Sequence, residues 1–161
     1  MILVITGFHT RPFDRLVRAM DNIAKASGEE VIIQKGASKI VTRFANGFSY
    51  TSEKVMSDYY EKARLIVCHA GVGTIIEAAK HRKPVIVVPR RSDYSEHYDN
   101  HQLEIAEAAS KAGMVTKVDD IQLLAATISA TISRPYEPKG DSRRRLIEYI
   151  RGLLDGIEVG R

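Results

Sequence analysis

Residues 69–77 read His-Ala-Gly-Val-Gly-Thr-Ile-Ile-Glu, and they sit between two apolar runs, LIVC and VIVV. Gly71 and Gly73 let the backbone turn tightly and approach a ligand without interference from a Cβ atom. Thr74 begins a helix in this reading. Unpaired N–H groups then point out of its first turn, and a phosphate fits there. Glu77 lies about one turn further on, on the same face as Thr74, where its carboxylate can accept hydrogen bonds from two neighbouring ribose hydroxyls. The same Thr-x-x-Glu spacing is that of a capping box, which would spend both side chains on the helix's own start. Spacing alone leaves both open.

A second constellation follows VIVVP in the segment RRSDYSEHYDNHQLEIAEAA. Glu96 and His97 fall in the loop or first turn, and Asn100, His101 and Gln102 enter the next helix. These donors and acceptors carry little apolar surface and suit sugar hydroxyls, although a solvated helix start has the same composition. His97 and His101 are spaced i, i+4, as zinc ligands can be, but no motif places a third ligand and no H-E-x-x-H order is present, so no metal is expected. The loop TGFHTRPFDRL contributes Gly7 at its turn, with His9 and Thr10 able to face the same ligand. An ordinary strand-to-helix loop reads the same way. Arg90 and Arg91 either supply positive charge near a diphosphate or are solvated.

The elements that must position these groups alternate in type. ILVIT, EVIIQ, RLIVC, PVIVVP and MVTKV read as strands, and FDRLVRAMDNIAKA, IIEAAKH and a stretch from about residue 99 to 112 as helices. Runs apolar on both strand faces predict an α/β, Rossmann-like parallel sheet with helices on both faces. In such a sheet ligands collect at the carboxyl ends of the strands, where all three loops fall. Gly113 can close the helix before it, and a further helix begins near Asp120. KGASKIVTRFANGFSYTSE supports a short strand and two turns. RPYEPKGD reads as a loop, and Asp141 can cap a last helix over residues 141–155 with Leu146, Ile150, Leu153 and Leu154 on one face.

With 161 residues, 44% hydrophobic and 27% charged, the chain reads as one domain, residues 1–161, able to bury a full core. No apolar run is long enough to cross a bilayer, the first residues lack a basic leader, and the single cysteine, Cys68, falls in a buried strand. These features predict a cytoplasmic protein. The net charge of +4 favours anionic partners.

VITGFHTRPFDRLV, VIIQKGASK and the block running from KARLIVCHAGVG to EAASKAG together resemble a glycosyltransferase group. It contains the catalytic subunit of the two-subunit dolichol-linked N-acetylglucosaminyltransferase and bacterial exopolysaccharide glucuronosyltransferase subunits. Both are similar to the C-terminal, donor-binding half of the peptidoglycan UDP-N-acetylglucosamine transferase, a GT-B enzyme. The resemblance runs in order from about residue 1 to residue 125.

It implies that the chain is a single half of a GT-B fold that binds a UDP-sugar. By position, Thr74 and the amides of Gly71, Val72 and Gly73 match the diphosphate-holding segment, and Glu77 the ribose-binding carboxylate. Glu96 and His97 match the pair on the donor sugar, Asn100, His101 and Gln102 the segment after it, and Gly7 and His9 the first loop of the cleft. Phe8 departs from the threonine that many relatives carry, and Tyr50 lies near the segment expected to cover the uracil. The implied reaction is inverting transfer of a sugar, from UDP-N-acetylglucosamine or UDP-glucuronic acid, to a lipid-linked saccharide acceptor. With no Asp-x-Asp motif, neither metal nor cofactor is expected, and no general base is identified.

The acceptor half is expected from a separate membrane-associated subunit, which would hold this chain at the membrane periphery; the 141–155 helix is a candidate docking element or an internal packing element. A homodimer of the isolated chain is also expected to be possible, and nucleic acid is not among the expected partners. A non-catalytic nucleotide-sugar binding module stays open. So does a relative of the UDP-sugar epimerases, which share the architecture but carry both halves in one chain. A dinucleotide binder is disfavoured because TGFHTRP is not Gly-x-Gly-x-x-Gly and EVIIQKG ends in Gln34 and Lys35.

Overall fold

A computed structural model describes residues 1–136. Six strands, β1 (Ile2–Ile5), β2 (Val31–Gln34), β3 (Asn46–Phe48), β4 (Leu65–Cys68), β5 (Val85–Val87) and β6 (Thr116–Lys117), form one sheet in the order β3-β2-β1-β4-β5-β6. Every pairing is parallel. β1 and β4 are neighbours in the sheet although two strands separate them in sequence. The chain winds outward from them in both directions, so a crevice opens beyond their carboxyl ends.

Alternation along the strands builds two cores. Ile2 and Val4 of β1 face one side, with Val31, Ile33, Leu65, Val67 and Ile86. Helix α1 (Asp14–Ser27) covers that side with Leu16, Val17, Met20 and Ala24, helped by Leu124 and Ile128 of α5 (Leu124–Ile132). Leu3 and Ile5 face the opposite side, beneath α2 (Glu53–Lys62), α3 (Val72–Lys80) and α4 (His101–Lys111). The small residues Ala78, Ala106 and Ala109 let α3 and α4 lie close to the strands. Cys68 belongs to this core, and burial pushes its thiol up to about 12, which removes it from thiolate chemistry at neutral pH.

The predicted strands and most helices appear where the patterns place them, with three differences. The segment before β4 contains β3 as its short strand, but it is followed by α2, which the sequence reading leaves unassigned. Ser52 caps this helix by accepting the Val55 N–H (3.4 Å). Only Tyr60 of α2 is buried, so its apolar stripe is too thin to register as a period. Helix α3 begins at Val72, two residues before Thr74, because Gly71 takes the extended N-cap conformation. The element expected near Asp120 starts as a 3-10 turn (Ile121–Leu123), in which Asp120 accepts the Gln122 N–H (2.9 Å), before continuing as α5. The expected 141–155 helix lies outside the described residues. Among the described residues no helix is long and apolar enough to cross a membrane.

One carboxylate organises the approach to β3. Asp21 on α1 accepts the backbone N–H groups of Arg43, Phe44 and Ala45 at 2.9–3.1 Å. These donors hold its pKa below the usual carboxylate range against the opposing effect of burial. Asp21→Ala should lower stability by about 1–2 kcal/mol, the worth of charged hydrogen bonds at a partly exposed site, read as a shift in the urea midpoint. An unchanged midpoint would mean that the loop holds its shape without this anchor.

Candidate functional site

Three loops meet beyond the carboxyl ends of β1 and β4. Between the first and the β4–α3 loop lies the His69 ring. A methyl group added at Gly7, where φ is +84°, would stand 2.6 Å from it, and one added at Gly71 would stand 2.1 Å from it. Any side chain at either glycine would displace the imidazole, so the two loops are spaced by one ring. The Gly7 N–H donates to Gln34 Oε1 (3.0 Å), and Gln34 Nε2 returns a bond to the Gly7 carbonyl (3.2 Å) and another to Ser49 (3.1 Å). Gln34, at the end of β2, is thus buried as a brace for the turn.

His69 Nδ1 lies 3.4 Å from the Ile5 carbonyl, which makes Nδ1 the donor. Burial, reinforced by the Arg90 guanidinium, presses its pKa down to about 4.

A cleft of about 580 Å³ opens over this ring. Gly7 and Phe8 from the first loop, Gly71, Gly73, Thr74 and Glu77 from the second, and Tyr50, Met56 and Tyr60 from the α2 side line it. The first turn of α3 has no side-chain cap, so the N–H groups of Val72, Gly73 and Thr74 are left for solvent or a ligand. The Val72 side chain packs toward the core, and only its amide is available to the cleft. Thr74-x-x-Glu77 is not a capping box, because the N-cap is Gly71, three residues before Thr74. Glu77 instead contacts Lys80 Nζ (2.6 Å) and His81 Nε2 (3.6 Å), with its side chain 39% exposed. At the cleft mouth Phe8 and Tyr50 stack at 5.6 Å between ring centroids, and both are exposed.

The second constellation divides. Glu96 does not reach the cleft. It is buried, its carboxylate is gripped by Arg15 through Nε (2.9 Å) and Nη2 (2.8 Å), and it also accepts the Arg91 N–H (3.1 Å). Gln102 is likewise buried, accepting the Arg90 N–H (3.1 Å), and Asn100 accepts from the amide and hydroxyl of Ser92 (both 3.0 Å). Arg90 is not solvated. Fully buried, it donates to the carbonyls of Thr6 (2.8 Å), Arg11 (3.0 Å), Pro12 (3.4 Å) and Glu96 (2.9 Å). Arg91 pairs with Asp93 at the surface.

His9 and His97 do come together, their rings 4.5 Å apart, with Tyr98 5.1 Å from His9. His9 Nδ1 accepts the Arg11 N–H (3.0 Å). His101 meets His97 edge-on at 4.7 Å. Asp99 lies between them, supplying the third potential ligand that no sequence motif placed.

Sequence reasoning missed His69, whose spacing signal is absorbed in the glycine loop, and the α2 wall. Both are found only once the sheet order is known.

Two outcomes test this geometry. His69 is neutral in the folded protein, whereas the unfolded chain takes up a proton below about pH 6.5. Stability should therefore fall as pH drops from 6.5 toward 4, by up to about 1.4 kcal/mol per pH unit from this group. Urea midpoints between pH 7 and 5 should show a shallower slope in His69→Asn; equal slopes would place the ring in solvent. Glu96→Ala, which strands Arg15 partly buried, should cost about 3 kcal/mol of stability.

The family model for the glycosyltransferase family 28 C-terminal domain matches residues 1–150. Among curated proteins, the UDP-N-acetylglucosamine transferase subunit ALG13 of Candida albicans is 42% identical over 64 residues, spanning 40% of this chain and 20% of that protein. The UDP-N-acetylglucosamine--N-acetylmuramyl-(pentapeptide) pyrophosphoryl-undecaprenol N-acetylglucosamine transferase of Chromohalobacter salexigens is 32% identical over 103 residues, 64% of this chain and 27% of that protein. The chain thus spans less than a third of either curated relative. Among solved structures, the NMR solution structure of ALG13 matches with a TM-score of 0.60 and 23% identity, over 88% of this chain and 89% of that one, a likeness that shows the fold. Sheet order, glycine loops and family match agree, and the chain belongs to the glycosyltransferase family 28 C-terminal domain family.

Proposed function

We propose that this chain is the donor-binding half of a UDP-sugar glycosyltransferase, taking UDP-N-acetylglucosamine or UDP-glucuronic acid and transferring the sugar to a lipid-linked saccharide. The observation that carries the reading is the uncapped α3 N-terminus on the floor of the cleft with Glu77 one turn further along. The diphosphate sits on the Val72, Gly73 and Thr74 amides, where the helix dipole and free N–H groups favour negative charge. The Glu77 carboxylate accepts the ribose hydroxyls, exchanging its exposed contact with Lys80 for them. The exposed Phe8 and Tyr50 rings offer a face to the uracil. His97 and His9 address the sugar, and Glu96 acts one step removed by holding the loop that carries His97.

In this reading bond cleavage at the sugar's anomeric carbon leaves charge on UDP. The same amides that bind the diphosphate stabilise that charge, as preorganised dipoles do, without a metal bridging the phosphates. The word subunit in the name of the Candida relative supports a partner that supplies the acceptor side, and the Chromohalobacter relative's name supports a lipid diphosphate-linked acceptor. A membrane-associated partner would place the chain at the membrane periphery.

Calorimetric titration with UDP, UDP-N-acetylglucosamine and UDP-glucuronic acid tests this. Glu77→Ala should weaken UDP binding by about 1–3 kcal/mol, the range for losing a charged acceptor, with the fold intact by circular dichroism. Unchanged UDP affinity in Glu77→Ala would remove the ribose assignment, and no saturable binding of any of the three by the protein together with its partner would overturn the donor-half reading.

A further inference from the structure

Beside the cleft, three potential metal ligands lie within five residues of one another: His97, Asp99 and His101. One ligand atom from each lies within 4.8 Å of the others. Both imidazoles turn Nδ1 toward the same carboxylate oxygen, Asp99 Oδ1, which is 3.0 Å from His97 Nδ1 and in contact with His101 Nδ1. The His101 amide also donates to that oxygen (3.1 Å), while the Asp99 amide approaches His97 Nδ1 at 3.4 Å. One carboxylate oxygen thus gathers Nδ1 of both rings around a single point, with the Asp99 amide at the outer limit of hydrogen-bond range from His97 Nδ1. A cation in place of the two ring protons would take the lone pair of each ring and the charge of the carboxylate.

We infer that His97, Asp99 and His101 bind one divalent transition-metal ion of the zinc class. Two imidazoles and one carboxylate are borderline ligands that suit zinc or cobalt, and they lack the oxygen set that calcium or magnesium requires. Zinc bonds of about 2.0–2.2 Å in tetrahedral geometry need ligand atoms about 3.4 Å apart, a spacing inside the 4.8 Å that encloses the three here. His97 is fixed in advance: its side chain is only 11% exposed, packed at a tilt against His9 and met edge-on by His101. Asp99 is positioned by its bond to the first amide of α4. Three protein ligands leave a fourth position for water or another oxygen ligand, the pattern of an open zinc site. The ion ties the loop ahead of α4 to that helix's first turn. Nothing in this assignment depends on the protein binding a nucleotide sugar.

The test uses the full chain, stripped of metal by chelator and dialysed, with zinc chloride alone as the calorimetric titrant and cobalt chloride as the spectroscopic one. One-to-one zinc binding and a visible d–d absorption band for cobalt are expected. His101→Ala and Asp99→Asn, both at exposed positions, should each weaken zinc binding by roughly tenfold or more, with helix content preserved by circular dichroism. His81→Ala, remote from the cluster, should leave it unchanged. Absence of zinc binding, or one-to-one binding of equal strength in both cluster variants, overturns the site.

Discussion

The site end of this protein depends on one buried cation. Arg90 leaves β5 and enters the interior, where its guanidinium meets backbone carbonyls from two separate loops: Thr6, Arg11 and Pro12 after β1, and Glu96 before α4. Among the described residues no carboxylate is bonded to it; four carbonyl dipoles replace water around the charge, its Nε is left unpartnered, and burial lowers its pKa to about 10 against the opposing pull of the Glu96 charge. The Phe13 ring at 4.7 Å adds a cation–π face. The two loops fixed in this way carry His9 and His97, and the tilted 4.5 Å approach of their rings follows from the guanidinium behind them. A second buried pair, Arg15 with Glu96, fastens the same loop from the α1 side.

This arrangement shapes the electrostatics of the cleft. A fixed positive charge held by carbonyl oxygens repels protons from the imidazoles around it, and its effect adds to that of burial at His69 and His9. The region is therefore positive through groups that do not titrate near neutral pH, while the His69 ring stays uncharged. The α3 N-terminus adds partial positive charge from a different origin, oriented backbone amides. An anion entering the cleft meets a field already in place.

The sheet was legible because parallel strands buried on both faces must be apolar throughout, and ILVI, LIVC and VIVV state that directly. The glycine loop was legible because backbone proximity excludes Cβ atoms, although the reason at Gly7 and Gly71 is the His69 ring as well as any ligand. The grip of Arg15 on Glu96 was not legible, since Arg15 stands 81 positions away and a local pattern cannot report such a pairing. Arg90 escaped for the same reason: a solvated arginine and a buried one have identical neighbours in sequence. Helix α2 escaped because Tyr60 is its one buried residue, with Met56 and Tyr59 only partly covered.

The two edges of the sheet differ from its centre. β3 has three residues, two of them exposed, and β6 has only two, with Lys117 engaged by Glu107 and Asp119. Strands this short offer too few free N–H and C=O groups to template a further strand, and a charged side chain guards one of them. The described domain is thus closed to growth by main-chain pairing. Another protein that docks on it must be read through side-chain shape and charge, which makes recognition a matter of surface chemistry rather than of extending the sheet.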